Sequence, residues 1–292
     1  GVSALMLAMQ MLAGTGDEVV AVVPVWPNLT AQPAILGAQV TRVALRPQGG
    51  AWRLDLDELL ARVTPRTRVL LVNAPNNPTG WTLTRDEQQA MLAHCRRTGT
   101  WILADEVYER LYYEGGAAAP SFLDIADAGD RLVVAQSFSK SFLMTGWRLG
   151  WLVLPPELVG PVERLAQNLY ICPSTLAQHA ALACFEPEAI ALYEQRRGEF
   201  KRRRDFIVPA LEGLGLAVPV APDGAFYAWA DVSRFAADSW DFCFDMMARA
   251  HVALTPGRDF GPAQARRHLR LSFASSLPAL EAAVQRLQRA LA

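Results

Sequence analysis

The sequence predicts an α/β protein, with a mostly parallel sheet sandwiched by helices and a smaller C-terminal α+β domain. Three observations carry this. Short, continuous apolar runs recur through the first two thirds of the chain, as in strands buried on both faces. Segments with helical periodicity alternate with those runs. After one long charged segment, residues 188–211, the rhythm changes to shorter strands and helices.

The elements follow in order. Residues 3–12 read as a helix, with the apolar pattern Leu5, Leu7, Ala8, Met11 and Leu12. Strands are expected at 19–23, 39–45, 69–73, 101–105, 132–136 and 150–154, each a Val/Ile/Leu-rich run bounded by turn residues. Helices are expected at 56–62, 85–98 and 156–168. The long helix 188–211 bridges to a unit with strands at 216–220, 225–230, 252–254 and 268–273 and helices at 240–250 and 278–291. The division expected is a large domain over residues 1–200 and a small one over 201–292.

Composition excludes several classes. The 28 basic and 29 acidic residues leave a net charge of −1, which argues against nucleic acid or a polybasic membrane surface as partner. The basic run Lys201–Arg202–Arg203–Arg204 lies beside acidic residues and reads as a solvated helix face. No apolar run approaches a membrane span, and no signal segment is visible. Cys95, Cys172, Cys184 and Cys243 have no paired spacing, so no metal site is expected, and buried thiols in a reducing cytoplasm are. The chain opens with Gly1 at a helix mouth, the pattern of a fragment of something longer.

The chemistry centres on Lys140. It lies among Ser137, Ser139 and Ser141, just after the strand 132–136, with Arg148 following. A lysine is costly at the end of a buried strand unless it reacts, and its amine can form a Schiff base with a carbonyl cofactor. The serines and Arg148 would suit that cofactor's phosphate. Asp105 ends another strand. Alone it would be a helix cap; beside Lys140 it gains the role of a carboxylate for a ring nitrogen. Glu106 should point the other way. Tyr108 offers a phenol, and Asn77 an amide in the turn 73–80. Trp26 follows a strand end between prolines, suited to packing or to lying on a planar ring. The 1–3 turn, with Val2 and Ser3, offers helix N–H groups to an anion. Arg270 is a charge inside a short apolar strand, either an exposed position or a fork for a carboxylate.

Together, Val25–Trp26–Pro27, the Asn77–Pro78–Thr79–Gly80 turn, Asp105–Glu106–Val107–Tyr108, Ser137 to Lys140 with Arg148, Asp223–Gly224–Ala225–Phe226–Tyr227, and Arg270–Leu271–Ser272–Phe273 resemble the class I/II aminotransferases. The resemblance covers essentially the whole chain, and it implies the fold type I architecture of pyridoxal-phosphate enzymes, with the N-terminal segment of the family lacking. It implies Lys140 as the Schiff-base lysine and proton carrier, Asp105 at the pyridine nitrogen, and Tyr108 and Asn77 at the ring oxygen. Trp26 would lie on the ring. Ser137, Arg148, Val2 and Ser3 would hold the phosphate, with Ser139 a further candidate, and Arg270 and Asn77 would bind the substrate carboxylate. The activity implied is transamination between an amino acid and a 2-oxo acid by a cytoplasmic homodimer of amino-acid biosynthesis. It is preferred over a carbon–sulfur lyase of the same fold, and over the sensor domain of a transcription regulator. Arg110 and Arg258 are candidates for a second carboxylate contact. Tyr112, Tyr170 and Phe226 are candidates for an apolar side-chain pocket.

Overall fold

The computed structural model describes residues 1–262 and 265–292. Helices α1 (Val2–Leu12), α2 (Pro27–Ile35), α3 (Leu56–Arg62) and α4 (Arg85–Thr98) alternate with strands β1 (Glu18–Val23), β2 (Gln39–Ala44) and the hairpin β3 (Arg46–Gln48) and β4 (Ala51–Arg53), followed by β5 (Thr67–Asn73). Strands β6 (Trp101–Asp105), β7 (Leu132–Ser137) and β8 (Gly150–Val153) precede helices α5 (Pro156–Leu169), α6 (Thr175–Leu182) and α7 (Pro187–Gly213). The C-terminal part holds β9 (Tyr227–Asp231), α8 (Ser239–Ala250), β10 (Thr255–Pro256), β11 (His268–Ser272) and α9 (Leu277–Leu291).

The main sheet has the order β2-β1-β5-β6-β7-β8, parallel except where β8 runs against β7. Alternate residues of the same strands feed two separate cores, as a pleated strand buried on both faces requires. Val20, Val22, Leu70, Val72, Ile102, Ala104 and Val134 pack with Leu59 of α3 and Met91 and Leu92 of α4. Val19, Ala21, Val69, Leu71, Leu103, Val133 and Ala135 pack with Leu5, Ala8, Met9 and Leu12 of α1 and Leu29 of α2. Each buried Leu or Val here contributes about 1.5–3 kcal/mol. Local chemistry sets the helix ends. Thr84 and Glu87 form a reciprocal cap at the start of α4, and Gly99 closes it at φ 74°.

The C-terminal domain is a small antiparallel sheet, β10-β11-β9, covered by α7, α8 and α9 over Ile207, Leu211, Ala228, Phe242, Met246, Leu269, Leu271 and Leu287. It touches the larger sheet where the turn after β5 meets residues 222–224. Gly224 donates its N–H to the Gly80 carbonyl at 3.0 Å. Gly80 has φ +72°, and a side chain there would collide with Pro222, so both conformation and space call for glycine.

Several expectations need correction. No strand forms at 216–220; Ala217 makes only an isolated bridge to Asp231, and Pro219 has no N–H to give a ladder. No strand forms at 252–254 either. Helix α8 ends at His251 in the left-handed region, φ 53°, and the short pairing segment comes later, at β10. Arg204 is not solvated: it is 8% exposed and holds Glu114 at 2.5 Å and the Pro222 carbonyl at 3.0 Å. Cys95, Cys184 and Cys243 are buried thiols, but Cys172 is exposed. Among the described residues, no helix is long and apolar enough to cross a membrane.

Candidate active site

Four adjacent parallel strands, β1, β5, β6 and β7, deliver the polar groups at their carboxyl ends, where an open α/β sheet leaves a crevice. Asn73 and Asp105 are register partners at the ends of β5 and β6, and Ser137 closes β7. Trp26 follows β1 and caps α2. A cavity of about 300 Å³ lies over these ends. Val2, Trp26, Asn77, Asp105, Tyr108, Ser137, Ser139, Lys140, Arg148 and Arg270 all line it. The Ser3 side chain does not: it is exposed, on the face of α1 opposite Leu5, Ala8 and Leu12, which leaves only its backbone N–H at the helix start.

One end of the cavity is built for an anion. Helix α1 starts there with no side-chain cap, so its first N–H groups are unpaired within the helix. Gly1 lies so close to Ser137 that a side chain on it would stand 3.0 Å from the Ser137 Cβ. The Ser137 hydroxyl accepts from the Ser139 N–H at 3.1 Å. Arg148, left-handed at φ 55°, spends one donor on the Thr145 carbonyl at 2.8 Å and lies exposed at the rim.

The floor holds a carboxylate. Asp105 is 3% exposed, and burial pushes its carboxyl up to about 7, opposed by the Val107 N–H and Lys140. Asn73 braces this strand end, donating its amide to the Asp105 carbonyl at 3.0 Å and accepting from the Asn77 N–H at 2.8 Å. Glu106 does turn away: its carboxylate accepts from the Ser121 hydroxyl at 2.6 Å and the Phe122 N–H at 3.0 Å.

The Lys140 amine reaches in from the loop after β7, 5.8 Å from the Tyr108 ring centre and 5.7 Å from that of Phe226. Burial lowers its pKa from the ordinary lysine value; Arg270 and Arg148 add to this, and Asp105 opposes it. The amine is thus nearer its neutral, nucleophilic form than a surface lysine.

Arg270 comes from β11 of the smaller domain. It donates to the Asn77 side-chain oxygen at 2.8 Å and to the Thr255 hydroxyl at 3.4 Å, and its Nε is buried without a partner. A guanidinium only donates, so the Asn77 oxygen must face Arg270, which leaves the Asn77 amide hydrogens for the cavity. Tyr227 is a further site residue, one that its local sequence does not mark. It lines the cavity, its hydroxyl is 2.9 Å from that of Tyr108, and its ring lies beneath the Arg270 guanidinium. Strand alternation places Tyr227 and Trp229 on one face, but only the β9–β11 register, Arg270 opposite Trp229, brings that face to the site.

The other candidates lie elsewhere. Arg110 pairs with Glu194 at 3.2 Å. Arg258 pairs with Asp238 at 3.6 Å and stacks on Trp240. Neither they nor Tyr112, Tyr170 and Phe226 line the cavity.

The donor set has a definite chemistry: an anion cradle, a buried carboxylate across from it, an amine, and a half-buried indole at the side. It fits a phosphorylated aromatic aldehyde with a basic ring nitrogen, which is what pyridoxal phosphate is. Comparison with known proteins agrees. A family model described as aminotransferase class I and II matches residues 1–287. The valine–pyruvate aminotransferase of Mycobacterium tuberculosis is 35% identical over 282 residues, 97% of this chain and 71% of that protein. The aspartate aminotransferase of Geobacillus stearothermophilus is 34% identical over 98% of this chain and 73% of its own length. A crystal structure of an aminotransferase from Mycobacterium tuberculosis superposes with a TM-score of 0.90 at 34% identity, covering 99% of this chain and 73% of that one. These relatives do not favour the lyase or the regulator. With cavity, fold and relatives in agreement, the chain belongs to the class I and II aminotransferases, enzymes that use pyridoxal 5′-phosphate to move an amino group between an amino acid and a 2-oxo acid.

Proposed function

We propose that the cavity at the ends of β1, β5, β6 and β7 is the transamination site, and that its residues divide the work as follows. Lys140 is the amine that joins the cofactor and, once displaced by substrate, carries a proton to and from the substrate α-carbon. Asp105 holds a proton on the ring nitrogen. Trp26 covers the ring face. Tyr108 and the free amide hydrogens of Asn77 donate to the ring oxygen. Arg148, the Ser137 and Ser139 hydroxyls and the first N–H groups of α1, from Val2 and Ser3, hold the phosphate. Arg270 keeps unspent donors for the substrate carboxylate. The bound cofactor supplies an aldehyde carbon and an electron-withdrawing ring. The convergence of Lys140, Asp105 and Arg270 on one cavity, from two domains, carries this reading.

A half-reaction tests it. Adding an amino acid alone to cofactor-loaded protein should bleach the visible band and release the matching 2-oxo acid stoichiometrically. Pyruvate or 2-oxoglutarate should then restore the band. Catalytic release of ammonia together with pyruvate would point to a lyase instead.

The division into residues 1–200 and 201–292 is part of the proposal. It is supported within α7, where Tyr193 packs with Phe138 and Phe142 while Ile207 and Leu211 pack in the C-terminal core. So is a homodimer, supported by Ile171, Leu176, Leu182 and Phe185, each more than half exposed along one short stretch. Sedimentation as a monomer at micromolar concentration would remove it. A cytoplasmic place in amino-acid biosynthesis is supported by four cysteines left as thiols. Fractionation that puts the protein in an oxidising compartment would end that reading.

A further inference from the structure

Tyr227 touches two parts of the site at once. It opens β9 and is 5% exposed. Its hydroxyl is 2.9 Å from the Tyr108 hydroxyl, and the two rings meet edge-on at 5.9 Å and 84°. Its ring centre lies 4.3 Å from the Arg270 guanidinium carbon, and Phe260 stands against that guanidinium at 4.9 Å.

Counting protons gives the pair a direction. A phenol has one proton to donate and a lone pair to accept with. If Tyr108 gives its proton to the cofactor's ring oxygen, its own oxygen must accept from Tyr227. A donor that is itself accepting is polarised and donates more strongly. On the other side, the Tyr227 ring offers its negative face to Arg270, whose Nε has no partner and whose terminal nitrogens are held by Asn77 and Thr255.

We propose that Tyr227 is a positioning residue for transamination: its hydroxyl donates to Tyr108 and strengthens Tyr108's bond to the cofactor ring oxygen, while its ring sets the plane of Arg270 for the substrate carboxylate. This rests on the site assigned above. It makes Tyr227 a link between the cofactor's contacts in the large domain and the substrate's contact in the small one.

The test is a pH titration of the visible band. A donor on the ring oxygen withdraws negative charge from it, and so weakens its hold on the proton carried by the neighbouring Lys140 nitrogen. Removing that help raises the pH midpoint of the spectral change. In Tyr227→Phe the midpoint should rise by roughly 0.3 unit, about twofold in proton affinity. In a Tyr108→Phe background the same substitution should move nothing, because the relay is already cut. Since Tyr227→Phe keeps the ring under Arg270, kcat should fall while KM for the amino acid stays within about twofold. An unmoved midpoint, or an equal shift in both backgrounds, overturns the relay. A KM that rises more than kcat falls overturns the assignment of carboxylate support to the ring. A visible band that persists in Lys140→Ala instead overturns the underlying site, so the two failures are distinct.

Discussion

Replacing Lys140 with alanine is expected to remove the visible absorption of the cofactor-loaded protein and to lower kcat by on the order of 10⁴ or more. Two functions are lost together, the covalent attachment and the proton carrier, and no neighbour can take them over. The charged groups that act on the amine are Arg270, Arg148 and Asp105, and the Tyr108 phenol beside it is held protonated by burial. The arginines stay protonated and cannot accept a proton. Asp105 is buried at a strand end and, in the proposed site, is committed to the ring nitrogen. Lys140→Arg should fail as badly as Lys140→Ala. It keeps the positive charge but not a nitrogen that can lose its proton at neutral pH. The pair therefore separates charge from chemistry. Stability should not fall in step, because burial and two cations already disfavour the Lys140 ammonium in the cofactor-free protein. Visible absorption that survives in Lys140→Ala, or turnover retained by Lys140→Arg, would remove Lys140 from the centre of the mechanism.

Much of the large domain was legible because its strands are continuous apolar runs and its helices are punctuated. Helix α4 is bracketed by Thr84, Glu87 and Gly99, and its expected span, 85–98, is the one found. What escaped lacks such marks. Helix α2 carries Pro27 and Pro33 within nine residues, which suppresses a helical reading, although Pro27 sits at the permitted first position. The β3–β4 hairpin did leave a signal, the two-residue loop Gly49–Gly50, with both residues at positive φ. In the smaller domain short apolar runs at 216–220 and 252–254 imitate strands, and only tertiary pairing decides which segments join a sheet.

The site divides the same way. Asp105 and Ser137 each end an apolar run, so local sequence places them at strand ends. At the 1–3 turn the local signal is for backbone N–H groups, and helical periodicity turns the Ser3 side chain outward. The contact between Arg270 and Asn77 spans 193 residues and depends on how two domains meet. Tyr227 depends on the β9–β11 register as well. A linear sequence encodes both only through the whole fold, which is why the motifs marked Arg270 as unusual but passed over Tyr227.

Asp105→Asn should lower kcat by on the order of 10³ while making the cofactor-free protein more stable at neutral pH. The loss of activity follows from proton placement: a neutral amide cannot hold a proton on a ring nitrogen as a carboxylate does. The gain in stability follows from linkage. In the unfolded chain Asp105 titrates near 3.9; in the fold, burial pushes it up to about 7. Between roughly pH 4 and 7 the native state therefore holds a proton that the unfolded state has released, and stability falls as pH rises through that window. Glu106, also pushed up to about 7 by burial, contributes in the same direction and remains in the variant. Denaturant unfolding of cofactor-free protein at pH 5 and pH 7.5 should show a loss of stability in the parent and a smaller one in Asp105→Asn. An unchanged pH dependence would mean that Asp105 pays no burial cost in the empty fold. With the cofactor bound the direction of the Asp105 shift reverses. A protonated ring nitrogen is a cation facing a buried carboxylate, and it draws that carboxylate back into its charged form. The same burial that destabilises the empty site thus favours the protonated ring, and the stability gained on loading should be larger in the parent than in the asparagine variant.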